Sequence, residues 1–293
     1  MGVTVFALGK KALDALEALP RELSSAIDCV VVGRDKGIAN DYADEIIRLS
    51  NEKQIIAIER SHYKANRNTS LYQIAIGWRW LNVINKNQKL IVLHDSLLPH
   101  CRGFNPIVTS LINGDKEIGV TAIFGGLEYD KGDIIAQERT EISYPLLISD
   151  AFSKVAALYV LLFSKMMTMI VNNEPMTGIK QDESLATYSI WRDESDYRID
   201  WNKTAGEIGR FVDAVGFPYK RALTIFDGLP IRISKVCEVP DVTIVNRDVG
   251  KMIFRIDDCP VVICREGLVQ VKEAFTESGE RVAFDKKFRV RFI

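Results

Sequence analysis

The sequence predicts an α/β fold, with a parallel-sheet, Rossmann-like domain first and a helix plus a small antiparallel β-barrel after it. Three observations carry this expectation. Residues 3–8 and 27–32 are apolar runs separated by a helical pattern over 10–23, and two such βα units in succession imply a parallel sheet with right-handed crossovers. Residues 90–93, Leu-Ile-Val-Leu, form an unbroken apolar run, the pattern of a strand buried on both faces. From Leu223 onward, short β-rich runs are separated by Asp-Gly, Asp-Asp and Glu-Gly turns.

The elements follow in order. Gly9 after the first strand makes a turn and lacks the G-x-G-x-x-G spacing of a dinucleotide fingerprint. Residues 41–51 read as a helix, 55–58 as a third strand and 61–68 as a polar loop holding His62, Lys64 and Arg67, which could meet an anionic substrate. A short strand at 74–77 stops at Trp78-Arg79-Trp80, where two indoles could wall a planar ring, and a helix-like stretch runs on to Asn85. A second buried strand at 119–124 leads into Gly125-Gly126-Leu127-Glu128-Tyr129-Asp130-Lys131-Gly132-Asp133, a permissive turn ending in carboxylates. One long helix is expected over 149–172 and another over 204–215. Strands are expected at 230–239, 250–256, 260–264 and 268–274, with 286–293 closing the barrel.

In an open parallel sheet the ligand crevice lies beyond the carboxyl ends of the strands, which places His94 where a site is expected. Two strand ends could then bring His94 and Asp130 together. Composition narrows the function classes. The 293 residues are 47% hydrophobic, enough for two cores, and the net charge of −1 with both signs dispersed gives no basic field for general nucleic-acid binding. Five scattered cysteines without CxxC spacing suit reduced thiols in a cytoplasmic protein, and no metal site is expected. No signal peptide is read at the start. The longest apolar stretch, 155–171, is interrupted by Ser164 and Lys165 and reads as a buried helix rather than a membrane span of about 18 residues.

The block His94-Asp95-Ser96-Leu97-Leu98-Pro99, with Arg102-Gly103, Pro106, Gly119-Val120-Thr121 and Asp130-Lys131-Gly132-Asp133-Ile134, resembles the folate-dependent formyltransferase family. Arg192 to Trp201, followed by a helix, Pro218-Tyr219 and Ala222, resembles the join in sugar N-formyltransferases between catalytic domain and C-terminal extension. The resemblance implies a formyltransferase catalytic domain over 1–187 and a helix with an OB-like barrel over 188–293. It assigns His94 and Asp130 as catalytic residues, and N10-formyltetrahydrofolate as the co-substrate held by Ile76, Gly77, Trp78, Leu98, Gly126, Leu127 and Tyr129. Arg102, Gly103 and Lys64 are the expected substrate contacts.

One position departs from the family pattern. The family carries an asparagine two residues before the histidine, where this chain has Val92, so the oxyanion donor must come from elsewhere; Ser96, Asn105 and Asn82 are candidates by residue type. Asp95 is expected to cap the turn into Ser96. The leading expectation is transfer of a formyl group to the amine of a nucleotide-linked amino sugar for cell-surface polysaccharide. Hydrolysis of the formyl donor, tRNA formylation and non-catalytic binding of folate or a sugar nucleotide are the alternatives. Small molecules are the expected partners, with neither membrane nor nucleic acid among them, and a homodimer is left open.

Overall fold

Five small or apolar residues, all buried, form the first strand, β1 (Val3–Ala7). The computed structural model describes residues 2–37, 40–80, 84–126, 128–284 and 288–293. The chain divides into two compact units. One comprises Met1–Pro106, Glu117–Glu141 and Phe152–Ser189; the other comprises Ile107–Lys116, Ile142–Ala151 and Ile190–Ile293.

In the first unit β1 leads into α1 (Gly9–Ala18), shorter than the helical pattern over 10–23. Pro20 accounts for the break: it has no N–H to donate and pushes Leu19 into extended geometry, so a separate turn, α2 (Arg21–Ser24), follows. Next come β2 (Ile27–Val32), α3 (Ala43–Glu52), β3 (Ile56–Glu59), β4 (Tyr72–Ile76) and β5 (Lys89–His94). These five strands are parallel in the order β3-β2-β1-β4-β5. The strand order reverses between β1 and β4, and in an open α/β sheet such a switch point is where a ligand crevice is expected, at the carboxyl ends of the strands.

Beyond β5 the sheet is no longer parallel. After β6 (Arg102–Gly103) and α4 (Pro106–Asn113), β7 (Glu117–Phe124) and β8 (Ile134–Glu141) add antiparallel strands, completing seven. The sequence showed the 119–124 strand but not its direction. Strand β8 went unread because its polar, half-buried residues lack an apolar run. The helix-like stretch after Trp80 falls partly on residues 81–83, outside the described residues, and Ile84 and Asn85 are not helical.

The long helix α5 (Ile148–Val171) buries Val155, Tyr159, Leu162, Phe163, Met166 and Ile170, one face at helical spacing. It continues through Ser164 and Lys165, so by length and composition it reaches the size of a membrane span, contrary to the sequence reading. Half of its most apolar window is buried within the chain. A short parallel pair joins β6 to β9 (Tyr188–Ser189).

The register decides which residues share a face. Phe6 lies opposite Val31 and Ala75, and Ala75 opposite Val92. This row is the core of an apolar cluster that Cys29, Tyr63, Trp78 and Leu90 join. Because side chains alternate along a strand, His94 projects from the same face as Val92, one step nearer the strand end.

In the second unit Thr204 and Glu207 form a capping box at the start of α6 (Ala205–Ala214). Five antiparallel strands follow: β10 (Ala222–Phe226), β11 (Leu229–Val239), β12 (Met252–Ile256), β13 (Cys259–Ile263) and β14 (Leu268–Thr276), in the order β10-β11-β14-β13-β12. The last residues reach both sheet edges. Ile293 exchanges backbone hydrogen bonds with Ile225 of β10, while Met252 of β12 donates to the Val290 carbonyl at 3.0 Å.

Candidate active site

His94 is the last residue of β5, with 10% of its side chain exposed. Its Nε2 lies 3.0 Å from the Cys101 carbonyl, which only accepts, so that nitrogen carries a hydrogen. Its Nδ1 lies 3.4 Å from Asp130 Oδ1. The structure therefore brings together the two residues that the sequence singled out.

The route differs from the one expected. Strand β7 runs antiparallel to β5, so Phe124 lies opposite Ile91, three residues and roughly 10 Å back from His94. The loop after β7 covers this distance by folding back. Its neck is closed by Phe124 N–H donating to the Asp133 carbonyl at 3.0 Å, and a Cβ on Gly132 would stand 1.6 Å from the Phe124 carbonyl, so only glycine fits. Asp130 itself has φ +57, a left-handed conformation that aspartate tolerates better than most residues. The Gly103 amide donates to its Oδ2 at 2.9 Å.

The turn that follows His94 is braced from β7 and β8. Thr121 Oγ1 donates to the Ser96 carbonyl at 2.6 Å and accepts from Leu98 N at 3.1 Å. Gln137 Nε2 donates to Thr121 Oγ1 and to the Leu98 carbonyl, both at 2.9 Å. Asp95 does not cap this turn. Its carboxylate pairs with Lys11 and accepts from the Tyr159 hydroxyl, which also lies 3.0 Å from the Leu93 carbonyl. Burial would raise the Asp95 carboxyl; the Lys11 ammonium and the tyrosine hydrogen bond outweigh it and hold the group below the usual carboxylate range. Burial foremost, with the Asp95 anion, pushes the Tyr159 phenol well above its ordinary value.

Several expected contacts have other work. Arg102 is 1% exposed, and its guanidinium is engaged by Gln181, Glu183 and Tyr188, the contacts of a brace within the fold. Gly103, at φ +99, lies close against the Ser189 carbonyl and serves Asp130 through its amide. Lys64 lines a cavity of about 300 Å³ with Asp28, His62, Arg67 and Asn68. Cys29 of that cavity is level with Leu90 in the sheet register, so the cavity sits roughly 13 Å back along the strands from His94 and three strands across.

The Ser96 hydroxyl donates to the His100 carbonyl at 2.7 Å, leaving no hydrogen for an oxyanion. Asn105 has φ 51, two residues past Gly103, and makes a contact of its own. Asn82 lies outside the described residues.

Of the expected folate contacts, Ile76 and Leu98 are core side chains, 0% and 3% exposed. Gly77, at φ +62, lets its backbone pass the Leu8 carbonyl at the switch point, where a Cβ would stand 2.5 Å from that oxygen. Trp78 packs edge-on to Phe6 and to Trp80, with centroids 5.1 Å and 4.8 Å away. Its indole N–H is buried with no partner among the described residues. Gly126 is open, Tyr129 is 70% exposed, and Leu127 is outside the described residues. Sequence reasoning missed Lys11, Tyr159 and Gln181. Polar residues in a helix or an irregular segment carry no periodic signal that marks them as partners of a site.

The sequence profile of Formyl transferase matches residues 81–158, and that of Formyl transferase, C-terminal domain, matches 192–289.

The chain belongs to the formyl transferase family.

The methionyl-tRNA formyltransferase of Alkaliphilus oremlandii is 30% identical over 190 residues, covering 62% of this chain and 58% of that protein. That of Ruminiclostridium cellulolyticum is 29% identical over 193 residues, covering 66% and 61%. The chain thus spans about three fifths of the length of these curated relatives. Among solved structures, an N-formyltransferase from Helicobacter canadensis, in complex with folinic acid and dTDP-3-aminofucose, superposes with a TM-score of 0.71 at 16% identity, covering 96% of this chain and 100% of that one. WlaRD, a sugar 3N-formyl transferase solved with dTDP and 5-N-formyl-THF, gives 0.70 at 17% identity, covering 96% and 98%. These two likenesses establish the fold of this formyl transferase family member. Among the described residues no cluster of three or more His, Cys, Asp or Glu side chains is placed to hold a metal ion.

Proposed function

We propose that this chain transfers a formyl group from N10-formyltetrahydrofolate to the amino group of a nucleotide-linked amino sugar, residues 1–187 serving as catalytic domain and 188–293 as an OB-like extension. The observation that carries the reading is the His94–Asp130 pair at the carboxyl end of β5, in a chain of the formyl transferase family. The sugar acceptor is supported by the near-complete, two-way coverage of two sugar N-formyltransferases. Trp78 supports the folate donor, since its buried, unpartnered N–H suits a polar atom on a planar ring lying along the Val92 face.

In the reaction the amine nitrogen attacks the formyl carbon, and the C=O electron pair moves to oxygen as a C–N bond forms. Collapse of this adduct breaks the bond to the folate nitrogen, and the proton lost by the amine is returned to that leaving nitrogen. The His94–Asp130 pair handles this proton. Nε2 of His94 donates to the Cys101 carbonyl, which leaves Nδ1, beside Asp130, as the nitrogen that takes up and returns the proton. Val92 offers no donor and the Ser96 hydrogen is committed, so among the described residues Asn105 is the candidate left for the oxyanion in this reading. The product would feed cell-surface polysaccharide assembly in the cytoplasm.

A second reading, formylation of methionyl-tRNA, is favoured by the curated sequence relatives. Mass spectrometry of the purified protein with N10-formyltetrahydrofolate, a panel of nucleotide-linked amino sugars and methionyl-tRNA separates these readings. A formylated sugar is the expected product; formylated methionyl-tRNA would replace the acceptor. Formate released without an acceptor would make the protein a hydrolase, and folate binding without turnover a binding protein.

A further inference from the structure

We propose that Gln181 is a positioning residue for Asp130, holding the catalytic loop at the height where its carboxylate meets His94; this rests on the formyl-transfer reading above. Gln181 is 5% exposed, and its carboxamide is committed on both sides. Nε2 donates to the Asp130 carbonyl at 2.7 Å and to the Gly132 carbonyl at 2.8 Å. Oε1 accepts from Arg102 Nε at 3.1 Å and from Arg102 Nη2 at 2.8 Å. A guanidinium only donates and a carbonyl only accepts, so the amide fits in one orientation and cannot flip.

This arrangement explains why a loop that starts far from His94 ends beside it. The strand-like exchange of backbone hydrogen bonds between Ile134 and Ile179, 2.8 Å each way, fixes the segment two residues before Gln181. Arg102, gripped also by the two oxygens of Glu183, fixes the far side of the carboxamide. Between them, Gln181 takes both carbonyls that flank the left-handed turn at Asp130. Among the described residues the Asp130 carboxylate accepts from the Gly103 amide and lies beside His94, so its height over the ring depends on that grip. Gln181 touches no reacting atom and acts through Asp130.

The test uses the full chain. Gln181→Met keeps length and volume while removing both N–H donors. It should lower kcat about tenfold to a hundredfold, the cost of displacing a catalytic group by a fraction of an ångström to an ångström, with the KM of each substrate held within about twofold. In an Asp130→Asn background the same substitution should cost nothing further. An unchanged kcat, or a loss that simply multiplies with that of Asp130→Asn, would overturn the proposal. Should the Met variant not fold, Gln181→Glu carries the test: it keeps the Arg102 contact, sets a carboxylate against the two carbonyls and should show the same split. His94→Ala run alongside tests the reading itself, because wild-type turnover there ends it whatever Gln181 does. If the wild type turns over no acceptor, hydrogen exchange across residues 124–134 decides. Faster exchange confined to that loop in Gln181→Met is the expected result, and exchange equal to wild type overturns the hold.

Discussion

Lys11, in the first turn of α1, and Asp95, the residue after His94, form an ion pair between segments 84 positions apart. The pair fastens the turn that carries His94 to the helix that follows β1. Lys11→Met should therefore cost about 1–3 kcal/mol, less than a fully buried pair would, because the two side chains keep 25% and 19% exposure. The pH dependence has a definite sign. A carboxyl held below its ordinary value adds stability that is complete above pH about 4 and is lost as pH falls through the folded-state value. Denaturant unfolding should show the gap between wild type and Lys11→Met closing in acid; a gap constant from pH 7 to pH 2 would remove the ion pair as its cause.

His94→Ala should lower turnover about a hundredfold to ten-thousandfold while leaving thermal unfolding within a few degrees of wild type. Retention of wild-type turnover would remove the histidine from the mechanism.

Val92→Asn restores the family's residue type in a row built from Val31, Phe6 and Ala75. Placing an amide there should cost about 1–2 kcal/mol on urea unfolding, an intermediate penalty because Val92 is only partly buried. Its rate should rise if the oxyanion lacks a side-chain donor, and stay level if Asn105 already supplies one.

Arg102→Lys keeps the charge but cannot reproduce the five contacts to Gln181, Glu183 and Tyr188. A loss of about 2 kcal/mol in denaturant unfolding is expected, together with lowered kcat, since the Gln181 anchor goes with it. Unchanged KM for the acceptor would separate this brace from a substrate contact.

Asp213 is a partly buried carboxyl in α6 whose acid is pushed up to about 6 by burial. A raised carboxyl favours the folded state below its unfolded value near 4, and that advantage is lost as pH climbs through 6. Asp213→Asn should accordingly stabilise the chain by about 1–2 kcal/mol at pH 7, after discounting for solvent screening, and by nothing measurable at pH 4. Thermal melts at the two pH values check this.

Much of the fold was legible because apolar periodicity is local. The runs at 3–8, 27–32 and 90–93 became parallel strands, the last buried on one face through Ile91 and Leu93 and half-buried on the other through Leu90 and Val92 rather than buried on both, and the turn-punctuated tail became a five-stranded antiparallel sheet. Strand β8 was illegible, since its residues are polar and half-buried at an edge where no apolar alternation is required. Within the site, the resemblance pointed to His94 and Asp130 because a histidine at a strand end and an aspartate in a glycine-rich loop are visible as residue types. The bracing contacts of Arg102 could not be read from the sequence for a physical reason: a guanidinium that braces a loop and one that greets an anion look the same there.

The sequence by itself determined most of the strands, β8 excepted, and pointed to His94 and Asp130 as residues to look at, because apolar pattern and residue type are properties of short segments. Only the tertiary structure decided that β7 runs antiparallel, that the Gly125–Asp133 loop folds back to His94, and that Gln181 and Arg102 hold it there. Those outcomes depend on hydrogen bonds between segments tens of residues apart, whose partners are chosen by packing in three dimensions and leave no periodic trace along the chain.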